Sequence, residues 1–427
     1  MKITVVGGGS TYTPELVEGF ARRAGVLPVD ELVLYDVDPE RLRVVGGLAG
    51  RILARHAFPG RLTTTTDLAQ ALDGAAAVLI QLRVGGQAAR LRDETLPNKF
   101  DLIGQETTGP GGFAKALRTV PLVLDIAAEV RRRARPDAWI VDFTNPVGIV
   151  TRALLDAGHR AVGLCNVAIK FQRSMADRFG VDADRVRLGH AGLNHLSWIR
   201  SITVDGEDRL PGLLAGDMLA EIAEEVRLPA GLLRDLKAIP SYYLHYFYCT
   251  DHELGRQRTG SHRAEQVQAI ERELLALYED PDLDHKPEIL ERRGGAYYSE
   301  AAAALVTSLL TGDGAHHYVD VRNNGVLAGL PDEAVVEVPA HVDTAGPHPV
   351  AVPPLPPEML GLVQAVTAYE TLTIEAALTG DRSVARRALL ANPLVRQWDL
   401  AAPMSDAILE ANRSYVPRFF GGEPADG

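Results

Sequence analysis

Apolar residues in the first third of the chain come in short runs, set between longer stretches in which they recur every third or fourth position. Runs at 3–6, 31–35, 77–82 and 139–143 read as strands, with helices predicted from about Pro14 and from about Pro39. Pro14 suits a first helical turn, where its missing N–H would be unpaired anyway, and Thr11 or Thr13 is available as a cap. Strands alternating with helices in this way predict βαβ units and a parallel sheet. After Cys165 the rhythm changes. The segment 193–204, followed by Asp205-Gly206, predicts a strand with a hairpin turn, and 317–322 and 335–338 predict further strands of a mainly antiparallel sheet. Three- and four-residue apolar spacing predicts helices over 263–278 and 360–378. No internal repeat is present. The proline-rich stretch 347–357 reads as an extended surface connector, and the tail from Gly421 is expected to be disordered.

With 427 residues, 46% hydrophobic and 23% charged, the composition is that of a globular protein with room for two or three domain-sized units. A formal net charge of −12 argues against a nucleic-acid partner, which requires a basic field. Two cysteines, Cys165 and Cys249, are too few for a disulfide framework and fit a reducing compartment. The first residues read as strand and turn rather than as a signal segment, and no uncharged apolar run has the length of a membrane span. A cytoplasmic location and no membrane partner are therefore expected.

Gly7-Gly8-Gly9-Ser10-Thr11-Tyr12 follows the first strand and matches the first two glycines of the dinucleotide fingerprint, with Tyr12 where the third would stand. The second strand ends at Asp36, where a carboxylate can bond a ribose 2′-hydroxyl. Asp38 adds a second negative charge that would repel a 2′-phosphate, which favours NAD over NADP. Gly7, Gly9, Ser10, Thr11 and Asp36 are the expected cofactor contacts. The fold expected is α/β: a Rossmann-like parallel-sheet domain over 1–165, then an α+β domain of antiparallel sheet and helices over 166–427.

Two pairs carry the remaining chemistry. Cys165-Asn166 ends the apolar run 162–164 and Asn194-His195 ends a Gly-Leu step. A thiolate and an imidazole can hold one metal, and ligand softness alone points to zinc or iron. The plainer readings are a buried small hydrophobe for Cys165 and a satisfied core histidine for His195. Thr144-Asn145-Pro146 ends another strand, so polar residues gather where open α/β sheets place ligands. The segments 83–92 and 104–112 read as a polar, glycine-rich loop able to close over a ligand. Four of the 12 tyrosines crowd into 242–248, as a packing face or a functional cluster. Arg256, Arg258 and Arg263 can pair with a substrate anion or lie on a solvated helix start.

These motifs resemble glycoside hydrolase family 4, the NAD- and metal-dependent phospho-glycosidases, over nearly the whole chain. The resemblance rests on the glycine turn, Arg83-Val84-Gly85-Gly86 with Arg90, Gly104-Gln105-Glu106-Thr107, Thr144-Asn145-Pro146, Cys165-Asn166, Gly192-Leu193-Asn194-His195, Tyr243-Leu244 and Arg263-Ala264-Glu265. It implies that Cys165 and His195 hold a divalent metal, manganese rather than the softer ions. It also implies a redox route to hydrolysis, in which the sugar is oxidised at C3 by NAD and loses its C2 proton to a tyrosine. Elimination at C1, water addition and re-reduction follow, with no net oxidation. The base is placed at Tyr243, with Tyr242 its near competitor. Arg90, Asn145, Asn166 and Arg263 match substrate positions. Members that cleave α-linked substrates carry an aspartate after the metal cysteine. Asn166 cannot act as that acid, which implies a 6-phospho-β-glucosidase acting on a phosphorylated disaccharide or aryl glucoside. A homodimer or homotetramer is implied too. The competing readings are an NAD-dependent 2-hydroxyacid dehydrogenase, which needs no metal, and a non-catalytic NAD-binding sensor.

Overall fold

Six short segments, apolar and buried except at the edge strand β3, form the parallel part of the sheet: β1 (Lys2–Val6), β2 (Glu31–Tyr35), β3 (Arg61–Thr65), β4 (Ala77–Ile80), β5 (Trp139–Asp142) and β6 (Ala161–Gly163). All four residues of β4 and of β5 are buried, as strands covered by helices on both faces require. The computed structural model describes residues 1–294 and 297–421, so the tail past Gly421 lies outside the described residues. The spatial order β3-β2-β1-β4-β5-β6 reverses between β1 and β4, which opens a crevice beyond their carboxyl ends.

The second half adds β7 (Val186–Leu193), β8 (Leu196–Val204), β9 (Glu207–Asp208), β10 (Ile239–Pro240), β11 (Ala315–Arg322), β12 (Val335–Asp343) and β13 (Gly346–Pro349), all paired antiparallel. They do not form a separate sheet. β11 lies antiparallel beside β6 through Asp320 and Gly163, and β12 meets β7 through Glu337 and Gly192. One 13-stranded sheet therefore runs through both halves.

Helices Thr13–Arg22, Pro39–Arg55, Arg263–Tyr278 and Pro357–Thr379 stand where apolar spacing predicts them. Four expectations differ. The stretch 347–357 begins within β13, paired to β12, and only its middle is a connector before the helix that starts at Pro357. The strand read over 193–204 is the tail of β7, a two-residue turn at Asn194-His195, and β8. Neither Thr11 nor Thr13 caps the first helix: Tyr12 occupies the cap, Thr11 Oγ1 donates to Glu271, and Thr13 Oγ1 accepts from Gln81. The glycine-rich stretches are mostly helix, since Gly86–Thr95 is helical and Gly109 opens the 25-residue helix Gly109–Arg133. Their glycines serve close packing. A Cβ on Gly104 would lie 1.7 Å from Glu94 O, and one on Gly111 would lie 2.2 Å from Gln105 O.

The helix Pro357–Thr379 returns to pack on Gly109–Arg133, and Arg118 fastens this layer. Its guanidinium donates to both Asp93 oxygens at 2.9 and 2.6 Å and to Asn412 Oδ1 at 2.7 Å, all of it buried. No helix among the described residues is long and apolar enough to cross a membrane.

Candidate active site

The cleft beyond β1 and β4 has a volume of about 1940 Å³, larger than the few hundred to about a thousand Å³ of an ordinary small-molecule site and roomy enough for two ligands side by side. At one side the chain leaves β1 in a turn that only glycine can make. Gly7 has φ +87°, and a Cβ there would sit 2.4 Å from Gln81 O, while one on Gly8 would strike Leu34 Cβ at 2.7 Å. Gly7 and Gly8 N–H groups donate to Tyr35 O at 2.9 and 2.7 Å. Asp36 Oδ2 accepts from Gly9 N at 2.9 Å, which sets the acid against the turn. Asp38 caps the helix Pro39–Arg55 by accepting from the Glu40 and Arg41 amides. Gly7, Ser10 and Asp36 line the cleft. Gly9 and Thr11 are buried in the turn behind them. A Cβ at Gly9 would sit 2.8 Å from Asp36 Oδ2, so this cradle exists only with glycine, which fits a dinucleotide laid against it.

At the other side Arg90, Asn145, Asn166, Tyr242, Tyr243, Arg256 and Arg263 line the same cleft. Asn145 and Asn166 directly follow β5 and β6. The Asn145 Oδ1 atom is buried without a hydrogen-bond partner, a polar atom left for a ligand. Arg90 donates to Glu94 at 2.8 Å and pairs with Glu106 at 3.1 Å. Glu106 also binds Arg83 and, at 2.8 Å, Lys115. Burial would raise the Glu106 carboxyl, but Arg83, Arg90 and Lys115 outweigh it and hold the group well below its usual range. Burial, with Arg83 alongside, pushes Lys115 down to about 7. Arg83, Arg90 and Lys115 thus converge on Glu106, with Arg90 shared with Glu94. The three later arginines divide. Arg256 is bidentate with Glu253, Arg258 pairs with Asp101, and Arg263 donates to the Arg292 and Arg293 carbonyls while facing the cleft.

Cys165 and His195 are 5% and 7% exposed, behind the residues that line the cleft. The Tyr243 ring stacks on His195 at 3.7 Å between centroids and 14° between planes, and Tyr242 stacks on Tyr243 at 4.3 Å. Asn194 hydrogen-bonds the Cys165 thiol, and Cys165 also sits within electrostatic reach of Tyr243. Both candidate ligands thus lie close to Tyr243, His195 by ring stacking and Cys165 by its charge. His195 Nδ1 faces Thr107 Oγ1 at 3.1 Å, which leaves Nε2 for another partner, and burial pushes the imidazole down to about 4, so it is neutral. Burial and the nearby Glu337 push the Cys165 thiol up. Burial raises Tyr243 well above its ordinary value and Tyr242 to about 12. A cation between thiol and imidazole fits these donors, and no third His, Cys, Asp or Glu among the described residues completes a metal cage. Its other positions would be open to substrate oxygens and water.

Sequence reasoning missed Lys115, Thr107 as the partner of His195, and the C-terminal turn whose Tyr415 walls the cleft against Gly85. Lys115 and Tyr415 arrive through long-range packing with no local signal, while Thr107 stands in the Gly104–Thr107 motif but its pairing with His195 is set by the fold.

Two family models cover almost all of this architecture: family 4 glycosyl hydrolase over residues 2–181 and the family 4 glycosyl hydrolase C-terminal domain over 190–395. The chain belongs to glycosyl hydrolase family 4. It is 42% identical, over 98% of both chains, to a probable 6-phospho-beta-glucosidase of Bacillus subtilis (strain 168). The 6-phospho-beta glucosidase of Thermotoga maritima, solved with NAD and glucose-6-phosphate, superposes with a TM-score of 0.92 at 37% identity, covering 97% of this chain and 99% of that one. The same enzyme has been solved with manganese as well, at 36% identity and a TM-score of 0.90 over 97% and 99% of the two chains. A maltose-6′-phosphate glucosidase of Bacillus subtilis is 28% identical over 97% and 96% of the two chains.

Proposed function

We propose that this family 4 enzyme hydrolyses 6-phospho-β-glucosides by reversible oxidation at sugar C3. What supports the reading above all is the meeting of Cys165, His195 and Tyr243 at one end of a cleft whose other end is the glycine cradle beside Asp36. Gly7, Gly9, Ser10, Thr11 and Asp36 hold NAD, and Cys165 with His195 holds a divalent cation, manganese as in the Thermotoga relative. When bound, the nicotinamide supplies hydride transfer and the cation draws charge from the C2 and C3 oxygens. Tyr243 takes the C2 proton. Its hydroxyl is protonated in the dry cleft, so it serves as base only with positive charge close by. Arg90, Asn145 and Arg263 bind the sugar and its phosphate, beside the cations around Glu106.

Asn166 stands where a general acid would be needed for α-linked leaving groups, and a carboxamide has no proton to give. The higher identity to β-specific relatives than to the maltose-6′-phosphate enzyme agrees with this. Residues 1–165 form the nucleotide unit and 166–427 the substrate, metal and oligomer unit, the enzyme working in the cytoplasm as a homodimer or homotetramer.

The deciding experiment follows cleavage of an aryl 6-phospho-β-glucoside, and of its unphosphorylated counterpart, with NAD, Mn²⁺ and reductant added or withheld. Cleavage of the phosphorylated compound only with all three, and no build-up of NADH, is expected. Full activity after chelation and cofactor removal refutes the proposal, and net NADH accumulation assigns a dehydrogenase instead. Cys165→Ser should lose metal dependence and turnover while NAD binding stays largely intact.

A further inference from the structure

The turn that presents His195 is held from outside by a buried acid. β12 meets β7 at a single pair, Glu337 opposite Gly192. Gly192 has φ +153°, and a Cβ there would sit 2.2 Å from Leu196 O, so the hairpin closes very tightly just before the metal histidine. His195 itself has φ +63°, a left-handed conformation that a residue with a side chain adopts only under constraint. Two side chains from other parts of the fold supply the constraint. Thr107 faces His195 Nδ1, and Glu337 Oε2 accepts from Asn194 Nδ2 at 2.9 Å. The Asn194 side chain also stands beside the Cys165 thiol, which it lowers, and Asn194 immediately precedes His195, so this residue lies between Glu337 and both candidate ligands.

Glu337 is 1% exposed, and among the described residues no lysine or arginine pairs with it. Its Oε1 lies 2.6 Å from His190 Nε2, so each carboxylate oxygen already has a nitrogen partner. A buried carboxylate without a strong cationic partner is costly unless some other charge offsets it. A divalent cation bound by one thiolate and one neutral imidazole keeps one uncompensated positive charge. Of the other buried carboxylates nearby, Glu106 is shared among Arg83, Arg90 and Lys115 and Glu94 pairs with Arg90, while Asp320 is pushed well above its usual range by burial and by Glu337 itself.

We infer that Glu337 is a positioning residue for the metal site, orienting Cys165 and His195 through Asn194 and supplying the buried negative charge beside the cation. The inference rests on the metal reading proposed above. Partners that orient metal ligands from outside typically govern ten- to a hundredfold of metal affinity. The test titrates NAD-loaded protein with Mn²⁺ without substrate, reading free Mn²⁺ by electron paramagnetic resonance, for wild type, Glu337→Gln and Asn194→Ala. Glutamine keeps the shape and one accepting oxygen for Asn194, and its amide can donate to His190 in the tautomer whose Nε2 accepts, while the charge is lost. Glu337→Gln is expected to weaken Mn²⁺ binding at least tenfold, with NAD affinity within twofold of wild type and the melting transition intact. Should it fail to fold, Asn194→Ala, which cuts the link at the turn, carries the same expectation. Mn²⁺ affinity within twofold of wild type in a folded variant overturns the inference. Absence of Mn²⁺ binding by wild type overturns the metal reading itself, so the two failures are distinguishable.

Discussion

Tyr243→Phe removes one oxygen and keeps the ring that stacks at 3.7 Å on His195 and at 4.3 Å on Tyr242. The structural cost is therefore small: one hydroxyl interaction with Tyr242, on the order of 1 kcal/mol. For 427 residues melting as one unit the unfolding entropy is about 0.9 kcal/mol per degree, so the transition should move by about 1 °C. The catalytic cost is large. A positioned base contributes about 10²–10⁴ in rate, or roughly 3–5 kcal/mol of barrier. Hydrolysis of a 6-phospho-β-glucoside should fall by that factor, together with exchange of the C2 hydrogen followed by mass spectrometry in D₂O. Tyr242→Phe, the control, keeps the ring stacked on Tyr243 and loses one hydroxyl hydrogen bond to it, worth about 1 kcal/mol, so it should lose less than about tenfold. The reasoning fails if Tyr243→Phe keeps activity within tenfold while Tyr242→Phe collapses, which moves the base by one residue. It fails more deeply if wild-type product formed from C2-deuterated substrate keeps all its label.

Two further outcomes follow from the geometry. Gly9→Ala puts a methyl 2.8 Å from Asp36 Oδ2 and 3.0 Å from Arg41 Cβ, so NAD dissociation measured by calorimetry should weaken tenfold or more, and unchanged affinity would place the cofactor elsewhere. Asp142 is fully buried, and burial raises its carboxyl to about 8, against a few weak hydrogen bonds from Thr144 and Thr151. A carboxyl raised in the folded state stabilises the protein below its unfolded value near 4 and loses that contribution as pH rises through about 8. Asp142→Asn should accordingly melt above wild type at pH 9 and approach it near pH 5; a difference independent of pH would contradict the assignment.

The inner strands of the parallel half are legible because they are short apolar runs separated by helical spacing, whereas the edge strand β3, Arg61–Thr65, is polar and half exposed and gives no such run. The pairs Cys165-Asn166 and Asn194-His195 stood out for the same reason, as polar residues at the ends of such runs. The stretch 104–112 misled because glycine serves two purposes. Composition reads it as mobility, whereas here it permits backbone contacts such as Gly104 against Glu94, seen only once the helices are packed. The strand over 193–204 was drawn through its turn because Asn194-His195 lacks the glycine that marks a two-residue hairpin; side chains from elsewhere hold His195 in its left-handed conformation. The join of both halves into one sheet rests on single residue pairs, Asp320 with Gly163 and Glu337 with Gly192, which no periodicity announces.

The return of the helices after residue 357 onto the parallel half sets the order in which this part of the molecule can be completed during synthesis. When the ribosome has released the strands through β13, the helix Gly109–Arg133 still lacks the cover that Tyr369, Ile374, Leu389 and Met404 will bring to Leu117 and Val120. Arg118 waits for Asn412, and the cofactor crevice waits for Tyr415. A nascent chain therefore carries an unfinished greasy surface until residues 357–420 emerge, and the parallel half waits on segments made long after it.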